Sequence, residues 1–152
     1  QTWIADFCSK WAPNGNATER YLKLQGEYLW RRESGELTYD VDVANVASDA
    51  RFRQSGGYLQ AVYQFMPHWR VGVRGDWLRS GTASLGTLGS AELPILAAYN
   101  PTRQTAMVDW SPSEFSRLRL QLARDKSRSG EADNQLWLQC IMSLGAHGAH
   151  KF

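Results

Sequence analysis

The sequence predicts an all-β fold, an antiparallel up-and-down meander of about seven strands. Apolar and polar side chains alternate with a period of two in segments of about ten residues, the pattern of strands with one apolar side. Turn residues such as Pro13-Asn14-Gly15-Asn16 separate these segments. No segment approaches the ~18 consecutive apolar residues of a transmembrane helix, and the mean hydropathy is −0.46. Such values are also typical of membrane β-barrels, whose strands alternate.

The clearest element is a hairpin over Tyr58–Leu78, with its turn at Met66-Pro67-His68. Its first arm places these apolar side chains on one side: Leu59, Ala61, Tyr63 and Phe65. Its second arm likewise places one set of residues on a single side: Trp69, Val71, Val73, Gly75 and Trp77. Each arm has about the ~9–11 residues that a tilted strand needs to cross a bilayer.

The remaining strands are predicted from the same alternation. They are Thr2–Lys10, Glu19–Arg32, Arg103–Trp110, Phe115–Asp125 and Gln135–Leu144. Short turns are predicted at Ala12–Thr18 and Ser111–Glu114. Long polar connections are predicted at Glu33–Gly57, Arg79–Thr102 and Lys126–Asn134. The first is predicted to be a loop, with Leu37–Val43 and Phe52–Gly57 as possible extensions of the flanking strands. Alternating short and long connections are typical of outer-membrane barrels, whose short turns face the periplasm.

Aromatic residues make up 12% of the chain and gather near the predicted strand ends. The predicted aromatic girdle consists of Trp11, Tyr21, Trp30, Phe65, Trp69, Trp77, Trp110 and Phe115. Rings at both ends of strands mark the two lipid–water interfaces, whereas a soluble sandwich packs its rings against the opposite sheet. The sequence therefore predicts a single transmembrane β-barrel segment over residues 1–152. A soluble β-sandwich binding module is the alternative.

Cations recur on the polar side of the predicted strands. The candidate lumen-lining residues are Lys23, Arg70, Arg74, Arg117 and Arg119. One hypothesis is an anion-attracting pore wall, because rings of Arg and Lys favour anions in a narrow channel. The alternative is that these cations pair with acids on neighbouring strands and only hydrate the wall. The net charge of +2 is too small to indicate nucleic acid as a partner.

The sequence predicts neither a catalytic site nor a cofactor. His147 and His150 are candidate zinc ligands. A spacing of three residues in a strand, however, puts the two side chains on opposite faces, so they cannot bind one ion without a bend. No metal site and no enzymatic activity are predicted. Alternation places Cys8 on the polar side and Cys140 on the apolar side, so a disulfide between them is not expected.

Long motifs carry a resemblance to a known family. They are WAPNGNAT at Trp11–Thr18, QFMP and WRVG around His68, DWSPSEFSRLRLQ at Asp109–Gln121 and IMSLGAHGAH at Ile141–His150. These stretches resemble the C-terminal part of a family of Gram-negative outer-membrane barrels. Its members are porin-like and are often labelled zinc-regulated TonB-dependent outer-membrane receptors.

The resemblance implies a fragment of a larger outer-membrane barrel that passes or takes up small solutes. The start at Gln1 rather than Met fits a mature chain or a fragment. The implied partners are the outer-membrane bilayer, a small permeant and the barrel-assembly machinery, which reads a C-terminal aromatic residue such as Phe152. The resemblance leaves undecided whether TonB or a second copy of the chain is also a partner. We expect either an open, curved antiparallel sheet or a strained closure, because bacterial barrels close with even strand numbers.

Overall fold

The computed structural model describes residues 1–39, 46–86 and 98–143. These residues form one antiparallel sheet of seven strands in the order β1 to β7, each beside its neighbour in sequence. The strands are β1 (Thr2–Trp11), β2 (Tyr21–Tyr39), β3 (Val46–Met66), β4 (Trp69–Ser84), β5 (Thr102–Ser113), β6 (Ser116–Lys126) and β7 (Asp133–Met142). The predicted all-β, up-and-down meander is therefore confirmed. No helix of the described chain is long and apolar enough to span a membrane.

The sheet has two chemically distinct faces, set by the register of the strands. Directly opposed residues of an antiparallel pair share a face, and one such row runs across the whole sheet. It consists of Trp11, Leu22, Tyr63, Val71, Val108, Leu120 and Leu138. We call the face that carries this row the apolar face and its reverse the polar face.

The short connections are tight, as predicted. A 3-10 turn at Pro13–Gly15 links β1 to β2, and Asn14 and Gly15 take positive φ angles of 54° and 73° there. The turn between β3 and β4 contains His68, whose φ is 69°, and its carbonyl accepts a 2.8 Å hydrogen bond from the backbone N–H of Ser111. The predicted turn Ser111–Glu114 is displaced, because β5 continues through Ser113.

Over most of Glu33–Gly57 the predicted loop is wrong, whereas the strand extension predicted at Phe52–Gly57 is confirmed, since it lies within β3. The extension predicted at Leu37–Val43 is confirmed as far as Tyr39, and its remainder lies outside the described residues. The strand β2 continues to Tyr39, and β3 begins at Val46 and pairs with it throughout, so the two strands form a long ribbon. The connection after β4 also begins later than predicted, since β4 extends to Ser84.

In the ribbon the two sides are exchanged: Arg32, Arg53 and Glu36 share the face of Trp30, whereas Phe52 and the buried Ala50 lie on the reverse face. The alternation therefore changes phase, and the pattern that defines the inner part of β2 is interrupted there.

One glycine permits the bend at the base of this ribbon. The register of β3 and β4 shifts between Arg53 and Ser55, and Gly81 stands opposite the shift with a φ of 65°. A Cβ at Gly81 would collide with the carbonyl oxygen of Arg53, so only glycine fits this bulge. Beyond it, the Ser48 hydroxyl donates a 2.8 Å hydrogen bond to the Leu85 carbonyl, which ties the ribbon to the chain after β4.

The sheet curves toward its polar face and remains open. A cavity of about 560 Å³ on that face is lined both by Glu19, in the turn after β1, and by Ile141, in β7. These residues lie near opposite edges of the seven-stranded sheet, so the sheet must bend to bring them together. Within the described ranges, β1 and β7 each pair on one side only.

Candidate functional site on the two faces of the sheet

The apolar face is exposed over the described sheet. At its centre the exposed fraction is 60% for Val73, 47% for Leu120 and 57% for Leu122. Neither Val71 nor Leu118 is buried, at 37% and 38%. No second layer of the described chain covers this face, whereas a soluble sheet of this length normally packs such a face against other protein.

Aromatic side chains border the apolar face at both ends. At the end with the short turns, Trp69 and Trp110 stand opposite each other and stack, with ring centroids 6.0 Å apart. Trp11 lies on the same face in β1. At the other end, the ring of Trp77 covers Gly57, where a Cβ would lie 3.1 Å from the ring, and Trp30 lies on the same face in β2.

The predicted place of Tyr21 in the girdle is wrong. Tyr21 opposes Gln64 on the polar face, and the Lys10 ammonium lies 4.5 Å above its ring. The reason is alternation, because Leu22 occupies the apolar face at the next position. Phe65 lies at a register shift beside the β3–β4 turn, and Phe115 lies in the turn before β6, where its carbonyl accepts a hydrogen bond from Ser143.

Trp3 is a border residue that the sequence analysis left out of the girdle. It stands directly opposite Trp30 on the apolar face and is 66% exposed. Its alternation with Ala5 and Phe7 already indicated the face. Its position at the end of the sheet that carries Trp30 follows only from the pairing of β1 with β2. Aligning the two predicted strands around their short turn would have predicted this position.

The polar face contains a buried acid between two arginines. Asp109 is 1% exposed, and it accepts two hydrogen bonds from Arg119, from Nε at 2.6 Å and from Nη2 at 2.9 Å. The Nη2 of Arg70 lies 3.7 Å from its Oδ2 and donates a 2.7 Å hydrogen bond to the Ser111 hydroxyl. The three charged residues belong to adjacent strands, β4, β5 and β6.

A second ionic group lies farther along β4. Arg74 donates to Asp76 from Nε at 2.8 Å and from Nη2 at 2.6 Å, and its guanidinium carbon lies 3.7 Å above the ring of Tyr58. Nearby, Arg103 donates a 3.1 Å hydrogen bond to Gln135. The Arg74–Asp76 pair lies within β4, so it differs from the alternative of pairing across neighbouring strands. The contacts of Asp109 with Arg70 and Arg119 correspond to that alternative.

All five candidate lumen-lining cations lie on the polar face, as their alternation predicts. Arg70, Arg74 and Arg119 have acidic partners. Within the described part of the chain, no ion pair is found for Lys23 or Arg117, and the Nε of Arg117 is buried without a hydrogen-bond partner. Arg117 lines the 560 Å³ cavity together with Arg70, Glu19 and His68. The structure thus divides the predicted set into paired and unpaired cations.

The cysteines lie where alternation predicts them. Cys8 opposes Gln25 on the polar face, Cys140 opposes Leu118 on the apolar face, and both are free and exposed. Among residues 1–39, 46–86 and 98–143, no group of at least three His, Cys, Asp or Glu side chains is arranged to hold a metal ion. His147, His150 and Phe152 lie outside the described residues.

Comparison with known proteins gives one curated relative. An uncharacterized protein of Aquifex aeolicus (strain VF5) is 30% identical to this chain over 137 residues. The alignment covers 88% of this chain but only 27% of the relative, so the chain spans about a quarter of the length of the curated relative it matches. No family model matches the chain, and no solved structure matches it. The resemblance to outer-membrane receptors therefore stays a prediction.

Proposed function

We propose that this chain is a segment of a larger outer-membrane β-barrel, with its apolar face against lipid and its polar face lining a water-filled lumen that passes small solutes. The observation that carries the proposal is the apolar face itself. It is continuous across all seven strands, exposed, and bordered by aromatic side chains at both ends. Membrane barrels have this inverted arrangement, with an outward apolar band between aromatic girdles and a polar interior.

The dimensions of the apolar band support a membrane. From Leu22 to Trp30 the band extends for about 27 Å along β2, at ~3.4 Å per residue. At the 35–45° tilt of barrel strands this gives a height of about 20 Å, near the ~25 Å band of outer-membrane barrels. Beyond Trp30 the face that carries the band becomes polar, with Arg32 opposite Arg53 and Glu36 opposite Asp49, as expected of a segment in water outside the membrane.

The open edges support a segment of something larger. β1 and β7 run in the same direction, because an even number of antiparallel steps separates them. They cannot pair with each other in an antiparallel barrel, so an odd number of further strands must close it. The Aquifex relative, of which the matched 137 residues make up 27%, is long enough to supply such strands.

Membrane assembly of the whole protein tests the barrel. We expect the full-length protein to fractionate with the outer membrane and to migrate faster on gels before boiling than after. Changing Leu120 and Leu122 to Asp should deplete this folded form, since both side chains lie on the apolar face. The matched control changes Gln121 and Gln139, on the polar face, to Asp and should preserve it. Equal depletion by both variants would contradict the assignment of the two faces, and recovery of the parent protein in the soluble fraction would argue for a β-sandwich.

Conductance in planar bilayers tests the passage of solutes. We expect the full-length protein to form open channels whose ion selectivity depends on the unpaired wall cations. Neutralising Lys23 and Arg117 to Gln should shift the reversal potential toward cations, because neither forms an ion pair among the described residues. Neutralising the exposed Arg20 and Arg128 to Gln is the control and should leave it in place. A folded protein without conductance would refute the pore.

A further inference from the structure

The apolar face becomes cationic where it passes its outer aromatic border, at the base of the β2–β3 ribbon. Arg32 and Arg53 stand directly opposite each other. Arg79 opposes Ser55, the next residue of β3 on the same face. All three side chains are exposed. We call these three residues the arginine cluster.

The arginine cluster lacks acidic partners on the described protein. Like charges in directly opposed positions of a sheet destabilise it unless a counter-ion intervenes. None of the ion pairs among the described residues involves the cluster. The nearest acids on this face of the ribbon, Glu36 and Asp49, oppose each other and lie about 14 Å farther along the ribbon, at ~3.4 Å per residue.

The height of the cluster is fixed by a tryptophan. The Arg32 guanidinium carbon lies 4.2 Å from the ring of Trp30, and Trp30 belongs to the outer aromatic border. In a membrane such rings lie at the level of the headgroups, so the guanidinium groups stand at the same level. On β6, Arg124 and Lys126 follow the last apolar-face leucine, Leu122, on the same face, and they continue the cationic belt around the sheet.

We propose that the arginine cluster binds the phosphate groups of a lipid in the outer leaflet. Guanidinium groups match phosphate oxygens with paired hydrogen bonds, and basic clusters beside an apolar membrane surface recognise anionic headgroups. The adjacent apolar face accepts the acyl chains of the same lipid, below the headgroup. This site rests on the proposed function, because its ligand is present only if the apolar face lies in the membrane.

The test compares lipid binding by the full-length protein and two triple variants. The cluster variant carries Arg32→Gln, Arg53→Gln and Arg79→Gln. The charge-matched control carries Arg20→Gln, Arg31→Gln and Arg128→Gln, which are exposed and lie outside the cluster. Each protein is folded in detergent micelles, and its affinity for bisphosphorylated lipid A and for dephosphorylated lipid A is measured by native mass spectrometry.

We expect the parent and the control variant to prefer phosphorylated lipid A, and the cluster variant to bind it more weakly by on the order of a hundredfold. Equal binding by the two variants, or equal binding of both lipids by the parent, would overturn the site. Heat-modifiable mobility, measured on the same samples, separates this failure from that of the proposed function. A parent protein that folds as a barrel but shows no phosphate preference refutes only the lipid site.

Discussion

Asp109 is the residue whose surroundings most constrain the polar face. Its carboxylate receives two hydrogen bonds from Arg119 and lies near Arg70, while its side chain is almost fully buried. A buried carboxylate is stable only when it is paired. Asp109 therefore joins three neighbouring strands at mid-sheet, and it compensates two of the cations that a sequence pattern assigns to an anion-attracting wall.

Removing this carboxylate should destabilise the folded protein. We expect Asp109→Ala to lower the free energy of unfolding by about 1–3 kcal/mol, because two guanidinium groups then face each other without a counter-ion. Asp76→Ala, which removes the partly exposed acid beside Arg74, is the control and should cost at most about 1 kcal/mol. Urea unfolding of the full-length protein in lipid vesicles measures both changes. Equal losses would show that Asp109 is no more important than a surface acid.

Single residues could be assigned to faces from the sequence, but their partners could not. Alternation placed the five wall cations, Cys8 and Cys140 on the faces where the structure has them. It did not reveal that Asp109 is buried between two arginines, because that depends on the register of β5 against its neighbours. The prediction for Tyr21 is wrong for a related reason. It used the position of Tyr21 near a strand end and ignored the face of the sheet on which its side chain lies.

At the scale of elements, the strands whose apolar side keeps one phase were predictable, whereas only parts of the ribbon, the extensions at Leu37–Val43 and Phe52–Gly57, were predicted. In β6, Leu118, Leu120 and Leu122 alternate with charged or polar residues, so the strand is evident in the sequence. In the outer part of β2 and β3 the alternation changes phase, because Arg32 and Arg53 occupy the face of Trp30 while Ala50 lies buried on the reverse face. The ribbon is held by backbone pairing, by the bulge at Gly81 and by contacts such as the hydrogen bond from Ser48 to Leu85.

At the scale of the whole molecule, the two faces have opposite chemistry to those of a soluble sheet. The face that curves inward carries the buried charges, and the outward face carries the exposed leucines, valines and tryptophans. The meander topology followed from the short turns and the alternation. The solute cannot be derived in the same way, because it depends on the full circumference of the proposed lumen, and the described part of this chain provides seven strands.

The most direct test of the account asks what touches the outward face of β6. Single cysteines are placed at each position from Arg117 to Ala123 in full-length protein without other cysteines, and each is spin-labelled after insertion into lipid vesicles. Collision rates with oxygen, which concentrates in lipid, and with a water-soluble nickel chelate are then measured.

We predict a period of two along the strand. Oxygen collisions should dominate at Leu118, Leu120 and Leu122, and nickel collisions should be more frequent at Arg119 and Gln121. Low collision rates with both reagents at the three leucines would contradict the account, because they would show that protein, not lipid, covers the apolar face.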